Sequence, residues 1–159
     1  STSPLDADDP GGPNRLAIGI NFVSAAGHGI GVGLSPPAHA GAPGVSQKNW
    51  NQSSVLPQDA TSGSTTNIES PSAGVLVDSQ AMATGATVSF TMKNMWSSAN
   101  EELTSYGKLM AGYLDTNAAG NASVTVSSIP YPEYDVYVYF GANASGQSGS
   151  MRSVTERLR

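Results

Sequence analysis

The chain has 159 residues, a formal charge of −5 and only 12% charged residues, about half the roughly 25% of an average soluble domain. It contains no cysteine, so a disulfide scaffold, a thiolate metal centre and a cysteine nucleophile are all excluded for this chain. Seven Lys and Arg against twelve Asp and Glu argue against a nucleic-acid partner, and no run of 18 apolar residues predicts a membrane-spanning helix.

Gly, Ser and Pro fill 51 of 159 positions, a level at which disorder competes with folding. The apolar residues decide for folding, because they gather into short runs, notably 16–23, 75–77 and 136–140. Residues 1–13 (STSPLDADDPGGP) are acidic and broken by three prolines, the composition of an extended arm. No basic and apolar leader stands at the start, as in a secreted chain after processing. Asp6, Asp8 and Asp9 offer oxygens that a structural calcium ion would take. Their spacing lacks the glycine and terminal glutamate of an EF-hand, so a solvated acidic tail is the simpler reading.

Residues 15–24 (RLAIGINFVS) alternate Ile18, Ile20 and Phe22 and predict a buried strand. In 27–33 (GHGIGVG) every second residue is glycine; an extended course would put all four on one face, whereas a flexible loop explains the run equally well. No Lys-Ser/Thr follows, so it is not a phosphate loop. Residues 46–53 (SQKNWNQS) are polar around Trp50. Strands are expected at 73–77 and 86–92, the second alternating Val88, Phe90 and Met92 with Thr87, Ser89 and Thr91, and 78–85 carries turn residues between them. The pattern Ser98-x-x-Glu101 reads as a capping box and predicts one helix over 100–111. Residues 122–129 and 134–140 alternate as strands and predict a hairpin closed at Pro130–Glu133. The architecture expected is mostly β: an antiparallel β-sandwich or jelly roll, with one short helix, over 14–159.

Catalysis needs converging acid, base or nucleophile, and no such constellation is legible: His28 and His39 stand eleven apart in a Gly/Pro-rich stretch, and no nucleophile elbow occurs. A non-catalytic role is therefore expected. Sugar recognition uses aromatic platforms beside amides and carboxylates. Trp50 between Asn49 and Asn51, Trp96 beside Asn94, and Tyr137 with Tyr139 on the strand face of Asp135 are the candidates. For both Trp residues, packing in the core is the competing reading. Asn51, Asn121 and Asn143 begin Asn-x-Ser sequences, which so much serine also produces by chance.

The segment 124–140 (VTVSSIPYPEYDVYVYF) resembles the strand, proline turn, tyrosine, strand pattern of secreted β-sandwich modules such as fibronectin type III domains. With IGINFV (18–23), GVLVDSQAMATGATVSF (74–90) and MAGYLDT (110–116), the chain is similar to galactose-binding-like modules of large exported proteins from planctomycete- or verrucomicrobia-like bacteria. The resemblance implies a sandwich fold, an extracellular or cell-surface location, and a Tyr134 hydroxyl bonded back to the preceding turn. It also implies further strands after Phe140, where only 19 residues remain. A chain short of its last strands would present an open β edge to a protein partner or to another copy of itself. The function expected is thus a structural or assembly module, with carbohydrate binding as the alternative.

Overall fold

The computed structural model describes residues 16–24, 33–53, 55–97, 104–116 and 120–140. The acidic arm with Asp6, Asp8 and Asp9, the glycine run up to residue 32, the capping box at 98–101 and the last 19 residues lie outside them.

The described chain is mostly β, with three small sheets and one helix. In chain order the strands are β1 (Ile20–Phe22), β2 (Asn51–Ser53), β3 (Ser62–Ser64), β4 (Ile68–Ser70), β5 (Thr87–Thr91), β6 (Asn94–Ser97), β7 (Gly112–Asp115) and β8 (Ser123–Ser127), with the helix α1 at Ser105–Ala111 between β6 and β7. The sheets are ordered β1-β2-β4, β3-β5-β8 and β6-β7. Contrary to the all-antiparallel expectation, β1 runs parallel to β2; the 28 residues that separate them make the long crossover that parallel pairing requires.

The strand β5 behaves as its alternation predicts. Val88 and Phe90 are buried while Thr87, Ser89 and Thr91 face outward, and Met92 continues the buried row. Around them Ile68, Leu76, Ala86 and Met95 form the main core, with Ile18, Ile20, Phe22, Leu56 and Val126 packed against it. Phe22 meets Phe90 edge-on at 5.0 Å between ring centroids, a geometry that adds to simple burial. A second, smaller core joins Leu34, Ala40, Trp50 and Leu109, with Tyr139 against it.

Two glycines are required by close approach. An added Cβ on Gly63 would stand 2.4 Å from the ring of Phe90, its cross-strand partner, and one on Gly112 would stand 2.2 Å from the Phe22 carbonyl oxygen. Gly112 also ends the helix. Its backbone turns extended (φ −95, ψ 139), so Tyr113 and Leu114, just past the predicted helix, are strand residues. At the other end Thr104 is the cap, its hydroxyl accepting from the Gly107 N–H at 3.1 Å. The helix is thus seven residues long and buries Leu109, whereas Tyr106 is exposed.

Two expected strands are absent from the described ladders. Residues 73–77 form a turn approach in which Val77 makes only an isolated bridge to Ala83. Asp78 makes the turn: its Oδ1 accepts from the Gln80 and Met82 N–H groups at 2.8 and 3.0 Å, as Asp side chains do at turns. The hairpin of 122–129 with 134–140 does not form either. Strand β8 instead pairs with β5 across five registered positions, Val126 opposite Val88 and Val124 opposite Phe90. The segment 134–140 joins no sheet among the described residues.

Replacing Phe90 with Ala, which empties the centre of the main core, is expected to cost roughly 3–5 kcal/mol by urea denaturation. Gly112→Ala must push β7 away from the Phe22 carbonyl and is expected to cost about 1–3 kcal/mol in the same measurement.

Candidate functional site

The polar stretch around Trp50 is buried rather than displayed. Gln47, Asn49, Trp50, Asn51, Gln52 and Ser53 are each 9% exposed or less. Apart from Gln47, the side chain of each hydrogen-bonds to backbone groups of another segment. Asn51 Nδ2 donates to the carbonyls of Gly19 and Val77, both at 2.8 Å, while its Oδ1 accepts from the Val77 N–H at 2.8 Å. The Gln52 amide does the same to Leu34, accepting from its N–H and donating to its carbonyl. Asn49 Nδ2 donates to Ser79 O at 2.8 Å, and the Ser53 hydroxyl faces both backbone groups of Val23. These side chains add hydrogen bonds to backbone groups of other segments, at Gly19 and Val23 beside the backbone bonds to Asn51 and Ser53, which is how buried polar groups are tolerated.

Trp50 itself points inward. Its Nε1 donates to the carbonyls of Gln47 and Ala40 at 3.1 and 3.3 Å, and its ring meets Tyr139 edge-on at 6.0 Å. The core reading of this Trp is therefore the one the structure adopts, and Trp50, Asn49 and Asn51 offer no exposed platform. The asparagine of the first Asn-x-Ser sequence is fully buried, while Asn121 of the second is exposed.

The tyrosine segment is split by the fold. Tyr139 is half-buried, and its hydroxyl accepts from the Ala42 N–H at 2.9 Å. Thus Tyr139, not the 44% exposed Tyr134, bonds back to a distant turn. Tyr137 and Asp135 are exposed, so Tyr137 and Tyr139 do not form one platform. Val136, Val138 and Phe140 are exposed as well, so these apolar residues, expected to form a hairpin strand, add nothing to the core. At the start of this segment, burial and then the nearby Asp78 carboxylate raise the pKa of Tyr131.

A cluster with the composition of a binding face lies on the ribbon of β6 and β7. Register pairs Asn94 with Asp115 and Trp96 with Tyr113, and alternation puts these four on one face. Met95 and Ser97 point the other way and are fully buried. The four side chains on the face are half-buried. One face thus carries two aromatic rings, an amide and a carboxylate, and the Asn94 Oδ1 is buried with no hydrogen-bond partner among the described residues. Trp96 with Asn94 was legible as a candidate in sequence. Tyr113 and Asp115 were not, because only the strand that begins at Gly112 makes them the cross-strand neighbours of Trp96 and Asn94. Among the described residues, no three His, Asp or Glu side chains gather to hold a metal, and no helix is long and apolar enough to cross a membrane.

Removing the Asn51 amide strips the buried Val77 N–H and carbonyl of their bonds to it, so Asn51→Ala is expected to cost at least about 2 kcal/mol in chemical denaturation. The exposed Asn121→Ala is expected to stay within about 0.5 kcal/mol of the parent chain. The raised pKa of Tyr131 means that the folded state holds the phenol proton more tightly than the unfolded one. The associated stability is present below pH 10 and is lost as the pH rises through the folded pKa; Tyr131→Phe is expected to lessen the alkaline loss of Tm.

No family model matches the sequence, and no curated protein or solved structure shows significant similarity to it.

Proposed function

We propose that this chain is a non-catalytic structural or assembly module of the β-sandwich or jelly-roll class, carried in a secreted or cell-surface protein. The observation that carries the assembly reading is the surface of residues 134–140. Tyr134, Val136, Tyr137, Val138 and Phe140 are between 44% and 65% exposed within seven consecutive residues, in a segment outside every described sheet. Apolar surface concentrated in this way marks a contact with another macromolecule. Tyr139, bonded to Ala42 and packed on Trp50, fixes one end of the segment to the body of the domain, so the apolar residues are held out rather than folded in. The low charge supports the same reading, since a surface poor in like charges associates readily.

The test is multi-angle light scattering over a concentration series. Self-association that weakens when Val136 and Val138 are both replaced by Glu is expected, and a strictly monomeric chain would remove the reading.

A second reading, carbohydrate binding, is favoured by the face of Trp96, Tyr113, Asn94 and Asp115. Sugar rings present apolar C–H faces to aromatic rings and hydroxyls to amides and carboxylates, and both kinds of partner are side by side here. Titrating tryptophan fluorescence with neutral polysaccharides tests it. A change in emission that disappears in Trp96→Ala and weakens in Asp115→Asn is expected, since Trp50 is buried. An unchanged signal across a panel of glycans would retire this alternative.

A further inference from the structure

We infer that the outer edge of β8 is a two-fold interface, at which two copies of this chain join their β3-β5-β8 sheets into one continuous six-stranded sheet. The inference rests on the assembly reading, names a second copy as its partner, and adds a contact apart from residues 134–140.

Strand β8 is the last in its sheet, and its outer edge pairs with no described residue. Natural edges are defended by charge, proline or a bulge, because an undefended one templates pairing with another chain. This edge has none of these defences. Residues 116–132 contain no charged side chain, and no proline occurs in β8. Its ladder with β5 runs through five consecutive pairs without a shift in register. Val and Thr, which suit strands, make up its centre.

The strand also reads the same in both directions: Ser123-Val124-Thr125-Val126-Ser127. An antiparallel pair of two such strands about a two-fold axis at Thr125 sets Ser123 opposite Ser127, Val124 opposite Val126, and Thr125 opposite its own counterpart. Such self-complementarity is what an isologous contact requires. Slipping the register by one residue would set valines against hydroxyl residues on the wrong face of the sheet, so the alternation excludes that slip, and the register centred on Thr125 is the one that pairs all five residues. Val124 is 45% exposed although it lies on the core side of the sheet opposite Phe90. In the pair, Val126 of the second copy covers it. On the other face, the hydroxyl rows Ser62-Thr91-Ser123 and Ser64-Ser89-Thr125 continue across the axis without bringing like charges together. A contact of five residues per copy lies below the about 1,200 Å² of a standard stable interface, so the dimer is of the weak class, with a Kd on the order of micromolar or above.

Sedimentation equilibrium of the parent chain, of Thr125→Lys and of Ser62→Lys provides the test. Thr125 is exposed, and its replacement by Lys places two like charges opposite each other on the axis. Thr125→Lys is expected to raise the dimer Kd at least tenfold, with circular dichroism and Tm close to those of the parent chain, and Ser62→Lys, on the far edge of the sheet, to leave the Kd unchanged. Because the chain has no cysteine, Thr125→Cys places one thiol per copy near the axis. Its treatment with a short bis-maleimide is expected to give covalent dimers, whereas Ser62→Cys is not. The cross-link decides the matter even if Thr125→Lys fails to fold. Dimers that form equally well in Thr125→Lys, or cross-link equally through Ser62→Cys, would overturn the β8 contact and leave the assembly reading standing. A chain that is monomeric at every concentration would overturn both.

Discussion

The fold depends on a short run of amide and hydroxyl side chains that take over the work of a sheet. From Asn49 to Ser53 the buried side chains hydrogen-bond to backbone groups at Gly19, Val23, Leu34, Val77 and Ser79. Those partners come from segments on both sides of β2 in the sequence. A three-residue strand supplies few ladder bonds, and an unpaired backbone group in an apolar interior costs free energy comparable to a lost hydrogen bond. Long loops rich in Gly and Pro are thereby tied to one point without long strands.

This arrangement explains how a chain of low charge and no cysteine holds its irregular segments. The main core around Phe90 is ordinary hydrophobic packing. The region of Leu34, Ala40 and Trp50 has a smaller apolar cluster, and there the amide network carries more of the connection. Tyr139 belongs to the same region through its bond to Ala42, so the exposed residues before it are presented by the polar hub. Buried polar networks raise the stakes of each member, since a broken one strands its neighbour. The Gln47 Oε1, buried without a partner among the described residues, shows that the network is not fully satisfied. It lies beside Gly19, where a Cβ would stand 1.6 Å from Gln47 Nε2, so the backbone there has closed up against the amide.

Much of the β framework was legible. Alternation of period two marks β5 and β8 because each has one face toward the core and one toward solvent, and the turn residues from Asp78 to Gly85 announce their turn. The alternation of Ile18, Ile20 and Phe22 marks β1 as well, with Ile20 and Phe22 on the main core and Asn21 buried on the other side toward Gln52. Strand β2 is not marked in this way, since Asn-Gln-Ser reads as loop and becomes the central strand of its sheet. The opposite failure occurs at 134–140, whose alternation is as regular as that of β8. Periodicity states that a segment suits a pleated surface; whether a partner strand lies beside it is a tertiary fact. The candidate site divides in the same way. Trp96 and Asn94 stand out as residue types, but the pairing that sets Tyr113 and Asp115 beside them depends on where Gly112 ends the helix.

Low charge and the absence of cysteine were fixed from the first count of residues, and they bound what can hold such a chain together. Sequence by itself determined that this is a mostly β chain without thiol chemistry, with undefended apolar alternation in its last third, because composition and period depend only on neighbours along the chain. Tertiary structure decided which polar residues turn inward, which Trp is core, and which alternating segment joins a sheet. Each of these depends on a backbone group tens of residues away arriving with an unmet hydrogen bond or an uncovered apolar face.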